Sequence, residues 1–346
     1  MQDFPHRTGH VLSAYVNTFG QDLLRRFGQR VHKLAINAGF TCPNRDGSKG
    51  RGGCSFCNNV SFSPNARALP DVAKQIESGR RVLRRRTGAK RFIAYFQAYP
   101  NTYADVSELD QLYRQALAEP DVVGLSIGTR PDCVPPAVLD LLAVYQAEGR
   151  EIWLELGLQS AFDETLRKVN RGHDLAEYEQ AVKAARQRGL SVCTHLIVGL
   201  PGEDQSHAMS SLNQVLSMGV DGLKLHPLHV VKGTRLANQW RGAEYEAWSQ
   251  SDYVDTVVRM VSNTPNNLVY HRLTGTAAEN ILLAPAWCAR KWQVLNAITE
   301  RFTELGCCQG SALTAPHATA GQRQSGLSLK PVTSLKAAQI LTVDFS

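Results

Sequence analysis

Residues 33–57 read KLAINAGFTCPNRDGSKGRGGCSFC, and this stretch decides the fold. It opens on KLAINA (33–38), a short apolar segment of the kind that forms a β-strand. It ends on three cysteines, Cys42, Cys54 and Cys57, spaced C-x11-C-x2-C. The loop between them, PNRDGSKGRGG, is rich in glycine and can fold its backbone closely around a bound group. Two thiols at C-x2-C reach one centre, and a flexible loop delivers the third. Structural zinc takes four protein ligands in a closed tetrahedron, and no fourth His or Cys follows at finger or ribbon spacing. A cubane iron–sulfur cluster on three thiolates leaves one iron open to an outside ligand. The triplet therefore points first to such a cluster, with zinc as the alternative.

Outward from this stretch the rhythm repeats. Segments 91–96 (RFIAYF), 122–127 (VVGLSI), 151–156 (EIWLEL), 191–198 (SVCTHLIV) and 222–228 (GLKLHPL) read as further strands. Helical patterns fall at about 71–87, 107–118, 135–148, 174–188 and 204–218. Ser107 and Asp174 are the expected N-caps, and Gly149, Gly189 and Gly219 the expected stops. Strands alternating with helices at this pace imply right-handed βαβ units and a parallel sheet. Six units predict an α/β fold, a partial (β/α)6 barrel whose site faces the C-terminal strand ends. After Thr234 the rhythm breaks into a helix over 244–262, one more strand at LVYHRL (268–273) and a helix over 288–305. From Ser311 the composition turns to Ser, Ala, Thr, Gln and Gly, the mark of a weakly ordered tail in which LKAAQILTV is a candidate docking element. The expected organisation is an N-terminal extension (1–30), the barrel core (31–235), a C-terminal α/β extension covering the barrel mouth (236–310) and the tail (311–346).

The 346 residues are ample for a core without disulfide staples. A hydrophobic content of 43% with 20% charged residues excludes disorder, collagen and a small disulfide scaffold. No apolar run approaches the roughly 20 residues of a membrane span, and MQDFPHRTGH shows no secretory signal. The expected location is the cytoplasm, away from membranes, where eight cysteines serve as thiols or metal ligands rather than bridges. The net charge of +7 suits an anionic partner without naming it.

Further motifs stand at the strand ends: FQAYPNTYA (96–104), IGTRPDCV (127–134), LELGLQS (154–160), NRGH (170–173) and LIVGLPGE (196–203). With GFTCPNRDG (39–47) and GGCSFC (52–57), they resemble the radical S-adenosylmethionine (SAM) enzymes. The branch is that of the elongator catalytic subunit and the oxygen-independent coproporphyrinogen oxidase, and the narrower match is the YhcC/YtqA-type group. LHPLHVVKGT (225–234) and HRLTG (271–275) carry the resemblance over about residues 20–310.

The resemblance implies a [4Fe-4S] cluster on Cys42, Cys54 and Cys57, with SAM chelating the fourth iron. It implies reductive cleavage of SAM to methionine and a 5′-deoxyadenosyl radical that abstracts hydrogen from substrate. An external low-potential electron donor such as flavodoxin or ferredoxin is expected, because no flavin or second-cluster motif is evident. After the second strand this chain has Gln97, Asn101 and Thr102 where many relatives have small glycines beside the SAM amino group; ordinary loop packing is the competing reading. Glu155 and Gln159 stand where acceptors meet ribose hydroxyls. Arg171 matches an arginine that pairs with the SAM carboxylate, a task suited to a guanidinium fork. For Glu155 and Arg171 a structural ion pair is the rival. Gly199 and Pro201 let a backbone pass near the adenine, whereas His195 departs from the acidic ribose ligand of the relatives. Arg130 and Asp132 either bind substrate or anchor their loop. His226, His229 and Lys232 are candidates for the cavity wall against a role as hydrogen-bonded core groups. Cys133, Cys193, Cys288, Cys307 and Cys308 are read as buried or incidental thiols.

The segment GRRVLRRRTGAKR (79–91) gathers seven basic residues without an acid. On a helix, Arg80, Arg81, Arg84 and Arg85 form a positive stripe able to track phosphates, or simply a solvated face. Because the resemblance includes tRNA-modifying enzymes, the expected substrate is a tRNA wobble uridine whose carboxymethylaminomethyl-type side chain is carried toward an aminomethyl one. A small-molecule or peptide substrate is the alternative within the enzyme class. A zinc-binding nucleic-acid interaction module is the alternative outside it.

Overall fold

The computed structural model describes residues 11–58 and 71–313. A helix α1 (Phe19–Phe27) precedes β1 (Val31–Ile36), α2 (Pro43–Asp46) and α3 (Val72–Thr87). Then come β2 (Arg91–Phe96), α4 (Val106–Leu117), β3 (Val122–Thr129), α5 (Pro136–Ala147) and β4 (Glu151–Gln159). They are followed by α6 (Asp163–Lys168), α7 (Leu175–Gln187), β5 (Ser191–Val198), α8 (Gln205–Ser217) and β6 (Gly222–Pro227). The chain continues through β7 (Val230–Val231), α9 (Arg235–Arg241), α10 (Gln250–Ser262), β8 (Val269–Arg272), β9 (Leu282–Ala284) and α11 (Lys291–Leu305). The expected tail lies outside the described residues beyond Leu313, as does the N-terminal extension before Val11.

All six expected strands are present, and the sheet runs β1-β2-β3-β4-β5-β6-β8 with every neighbouring pair parallel. It curves into a half-barrel. The strand expected at LVYHRL is its seventh member, because α10 serves as one more crossover helix and returns β8 beside β6. The far edge of β8 is occupied by the segment before α1, where Tyr270 donates its backbone N–H to Asn17 O at 2.8 Å. A separate antiparallel pair joins β7 to β9.

The period of two along each strand explains both faces. Leu34, Ile36, Phe96, Leu125, Leu154, Leu156, Val198 and Leu225 share one core cluster with residues of the helices, such as Leu109, Leu142, Val182 and Leu212. The alternate set of Lys33, Tyr95, Ser126, Glu155, His195 and Lys224 meets inside the curve through hydrogen bonds and ring contacts. Gly149, Gly189 and Gly219 follow their helices at φ of 83°, 72° and 74°, the left-handed stop that glycine allows. Asp174 caps α7 in a reciprocal capping box with Glu177.

Two helix starts differ from expectation. The cap of α4 is Asp105, whose carboxylate accepts from Ser107 N, so Ser107 lies inside the helix. The single helix expected over 244–262 begins only at Gln250, behind Ser249, and α9 precedes it with Thr234 as its cap. Among the described residues no helix is long and apolar enough to cross a membrane.

Candidate active site

Parallel strands deliver their C-terminal ends to one side of the sheet, and a cavity of about 240 Å³ opens there. Its wall includes Cys42, Cys54 and Cys57 from the loop after β1, together with residues from the ends of β2 to β6 and β8. The cysteine loop is held by local chemistry. Cys42 is the extended residue before α2, and Pro43 presets the first helical turn. Arg45 reaches across and donates to Cys57 O at 2.8 Å. Gly53, at φ 76°, leaves room for that arginine, since a Cβ there would stand 2.9 Å from Arg45 Nε.

The NRGH segment is the loop's second support. Asn170 Nδ2 donates to Gly53 O at 2.8 Å, and Ser55 N donates to Val169 O at 2.8 Å. Asn44 Nδ2 donates to Asn170 O at 2.5 Å. Arg171 joins the two regions: Nη2 donates to Gly157 O at 2.6 Å, Nε to His173 Nε2 at 2.9 Å, and Nη1 lies 3.6 Å from Cys54 Sγ. Arg130 donates to Arg171 O at 2.7 Å and forks onto Asp132 at 2.9 Å through both Nε and Nη2. Its guanidinium therefore anchors the loop that carries Arg171, and Asp132 is the anchor's counter-charge.

These contacts set the electrostatics around the thiols. Burial pushes the Cys57 thiol up to about 11, Cys54 adds to the rise, and Arg45 and Arg171 pull against it. A metal that takes thiolates must supply the missing favourable charge at such a position. Burial, with Arg171 and Arg130 beside it, lowers His173 to about 3, so its imidazole is neutral and accepts from Arg171.

Of the residues singled out from the sequence, Gln97, Gln159 and Arg171 line the cavity with the three cysteines. Gln159 does so from φ 82°, a left-handed backbone at a strand end that costs on the order of 1 kcal/mol for a non-glycine residue. Gly157 makes space beneath it, because a Cβ there would meet Gln159 Nε2 at 2.6 Å and Arg171 Nη2 at 2.8 Å. Four others are not among the lining residues. Asn101 is fully buried, with Nδ2 donating to Tyr99 O and Gly128 O at 2.8 Å each, so it holds the loop after β2. Gly199 packs against Trp248 and accepts from Tyr245 at 2.8 Å, which keeps it and Pro201 behind the wall. His226 and His229 line the wall as candidates, whereas Lys232 instead donates to Asn280 O at 2.8 Å. Cys133, Cys193 and Cys288 are buried, Cys307 is half-buried and Cys308 exposed.

Glu155 is the clearest departure. It is fully buried, and both oxygens are taken: Oε1 by Lys33 and Ser126 at 2.5 Å each, Oε2 by Lys224 and by His195 at 2.7 Å. Burial opposes its ionisation, but Lys224 and Lys33 outweigh that and hold the carboxyl well below the usual range. A ribose hydroxyl finds no open acceptor there; the ion-pair reading wins. His195 and Tyr95 bond this buried network and also line the cavity wall above it. Lys33 and Lys224 were missed as partners of Glu155, although a lysine in mid-strand was the available signal.

The Radical SAM superfamily model matches residues 39–215, and the Radical_SAM C-terminal domain model matches residues 220–304. The chain belongs to the radical SAM superfamily. Protein YhcC of Escherichia coli (strain K12) is 50% identical to it over 305 residues, which are 88% of this chain and 97% of YhcC. YtqA of Bacillus subtilis (strain 168) is 37% identical over 311 residues, covering 90% and 96% of the two chains. Elongator complex protein 3 of Mus musculus is 31% identical over 147 residues, 41% of this chain and 26% of that protein. Among solved structures, the archaeal Methanocaldococcus infernus Elp3 with an N-terminal deletion superposes with a TM-score of 0.61 at 17% identity. That match covers 81% of this chain and 64% of the archaeal one, and it supports the fold.

Membership implies a [4Fe-4S] cluster and SAM. The residues present fit them. Three thiols share one cavity wall, Arg171 stands beside Cys54, and the buried Gln97 Nε2, on a residue of the same wall, has no hydrogen-bond partner among the described residues. No three His, Cys, Asp or Glu side chains among the described residues gather as a site for one metal ion.

Proposed function

We propose that this chain is a radical SAM enzyme in which Cys42, Cys54 and Cys57 hold a [4Fe-4S] cluster open to SAM at its fourth iron. Its proposed substrate is a tRNA wobble uridine whose carboxymethylaminomethyl-type side chain is carried toward an aminomethyl one. The observation that carries the enzymatic reading is the opening of all three thiols onto one cavity with Gln97, Gln159 and Arg171. The tRNA reading is supported by the partial match to elongator complex protein 3, by the resemblance to tRNA-modifying enzymes and by the net charge of +7.

When bound, the cluster and SAM supply a 5′-deoxyadenosyl radical after one-electron reduction by an external donor such as flavodoxin or ferredoxin. This chain's own residues bind, orient and exclude water. Arg171 sets a fixed positive charge beside Cys54, and its bonds to Gly157 and His173 keep the fork from turning away. Gln97 Nε2 and the left-handed Gln159 offer amide groups to the methionyl and ribosyl portions. Phe56, Ile197 and Leu228 give the same wall an apolar face that limits quenching by solvent.

The test is anaerobic: reconstituted protein, SAM and a strong reductant, with 5′-deoxyadenosine quantified against a Cys54→Ala variant. The wild type is expected to form it, with the variant at background. Formation by both, or by neither when bulk tRNA is added, would reject the enzymatic reading. The tRNA reading is tested by nucleoside analysis of RNA from a deletion strain lacking any redundant route; an unchanged modification profile would sink it.

A further inference from the structure

Two other elements bond the backbone between Cys54 and Cys57. Ser55 N donates to Val169 O at 2.8 Å, and Leu236 N donates to Ser55 O at 2.9 Å. The end of α6 and the start of α9 thus both reach the C-x2-C pair. Immediately before these contacts stand Lys168 and Arg235, and both are exposed. The cysteine loop adds exposed Arg45, whose guanidinium bonds Cys57 O, and exposed Arg51. Lys49 of the same loop is neutralised by Asp132 at 3.0 Å and Glu177 at 2.7 Å. Arg45, Arg51, Lys168 and Arg235 form no ion pair among the described residues. The single acid between Cys42 and Cys54, Asp46, accepts from Ser48 N at 2.9 Å and Ser48 Oγ at 2.8 Å.

The cover beside these cations is nearly bare of side chains. Gly47, Gly50, Gly52 and Gly53 stand between Cys42 and Cys54. Gly47 and Gly52 are exposed at φ of 98° and 84°, and a Cβ at Gly52 would meet no atom within 4 Å. An outside molecule can lie on the loop backbone itself, next to the cysteines.

We infer that this basic, glycine-covered face is the docking surface for the electron donor, a small acidic protein carrying a low-potential flavin or iron–sulfur group. The inference rests on the radical SAM reading above and gives its donor a surface. The partner loses one electron and the cluster gains it; no bond forms or breaks, so the surface has only to bring the partner close. Electron transfer falls steeply with distance, which favours the cover of the thiols over the basic stripe of α3. Exposed cations without carboxylate partners steer an acidic face into place at no cost in buried charge. Redox encounters bury little surface, so a patch made of one loop and its two neighbours is large enough.

The experiment gives reconstituted protein three reductants: reduced flavodoxin, reduced ferredoxin, and photoreduced 5-deazaflavin, which is small and needs no docking face. Bleaching of the cluster absorbance gives each rate at low and high salt, and calorimetry gives the affinity for the two oxidised proteins. Arg51→Glu, Lys168→Glu and Arg235→Glu are combined in one variant, with Arg81→Glu and Arg85→Glu on α3 as the control. The wild type is expected to take electrons from at least one acidic protein, faster at low salt. The triple reversal should slow that transfer and weaken that affinity by about tenfold or more, and flatten the salt dependence. Its rate with deazaflavin and its iron content should match the wild type. The corresponding triple glutamine variant should fall between, and it carries the test if the reversal fails to hold iron. The α3 control should transfer electrons as the wild type does. Unchanged protein-driven rates in the triple reversal, or an equal loss in the control, would overturn the inference. If those rates hold while affinity for bulk tRNA is lost, the face belongs to RNA instead. A wild type reduced by deazaflavin but by neither protein would overturn the inference and leave the radical SAM reading standing. A wild type that deazaflavin cannot reduce, and that forms no 5′-deoxyadenosine, would overturn both.

Discussion

Helix α3 carries Arg80, Arg81, Arg84 and Arg85 on neighbouring positions, while the concave face of the sheet gathers buried Glu155, Lys224 and His271 with half-buried Lys33 and His195, one strand at a time. On α3 the counter-charges come from Glu77 of the helix itself, 2.9 Å from Arg80, and from the turn before β3. Arg80 donates to Glu119 at 2.5 Å and to Asp121 at 2.7 Å, and Arg84 donates to the other oxygen of Asp121 at 2.8 Å. The Arg84 side chain is 53% exposed, so water competes for that pair and screens it. Inside the half-barrel Glu155 is 0% exposed, and each oxygen meets two partners. The cluster most conspicuous in the sequence is thus the one expected to weigh least in the folding energy.

Replacing Glu155 by Gln breaks that comparison if it is wrong. Lys33 and Lys224 would stay buried without their shared counter-charge, a situation that costs about 3–5 kcal/mol. Urea or thermal midpoints should show a loss in that range. Adding Lys224→Met to Glu155→Gln should cost less than the sum of the single changes, because the second removes the charge the first leaves stranded. A Glu155→Gln loss below about 1 kcal/mol would put the network in the same class as the α3 pairs.

Acid sharpens the contrast, because α3 contains no histidine and the cavity wall contains three. Burial, with Lys224 beside it, lowers His195 to about 4; burial also lowers His229 to about 4, against the pull of Gly275. An unfolded histidine takes its proton near 6.5. Between about 6.5 and 4 the unfolded chain therefore binds more protons than the folded one. The stability these neutral rings confer is full above that window and falls with pH through it, on the order of 2–3 kcal/mol per ring by pH 4. The contribution of Glu155 survives lower still, since its folded carboxyl titrates well below the usual range. Unfolding midpoints measured from pH 7 to 4.5 should fall steadily, and His195→Asn should reduce the slope. A flat profile would mean that the rings are solvated.

The strand alternation, the glycine stops and the placement of the three cysteines after β1 were legible, because each depends on neighbours within a few residues. The Glu155 network was not. Its members come from positions 33, 126, 155, 195, 224 and 271, and only the register of six strands and the curvature of the sheet bring them together. The role of β8 was hidden for a related reason: four residues after a broken rhythm give no sign that α10 will return them beside β6. Asn101 and Gly199 sit within motifs that surround the site, and a bond to Gly128 O and packing on Trp248 fix them in the loops around the cavity. Short-range chemistry was readable; the partner across the barrel was not.

The smallest expected effect belongs to α3 and tests what its arginines are for. Arg84→Ala removes one exposed donor from Asp121, which keeps Arg80. Its stability cost should stay within about 1 kcal/mol, measured beside Glu155→Gln in the same denaturant series. A larger loss would mean that the Asp121 pairs carry more of the fold than surface ion pairs do. Arg81 and Arg85 are exposed on the same helix. If they track phosphates, the double reversal Arg81→Glu and Arg85→Glu should weaken tRNA binding for every side chain alike and lower the salt slope by about one per arginine. An unchanged slope would leave α3 as a solvated face. Recognition would then fall to the cavity mouth, where the charges are held in place by the barrel rather than spread along a helix.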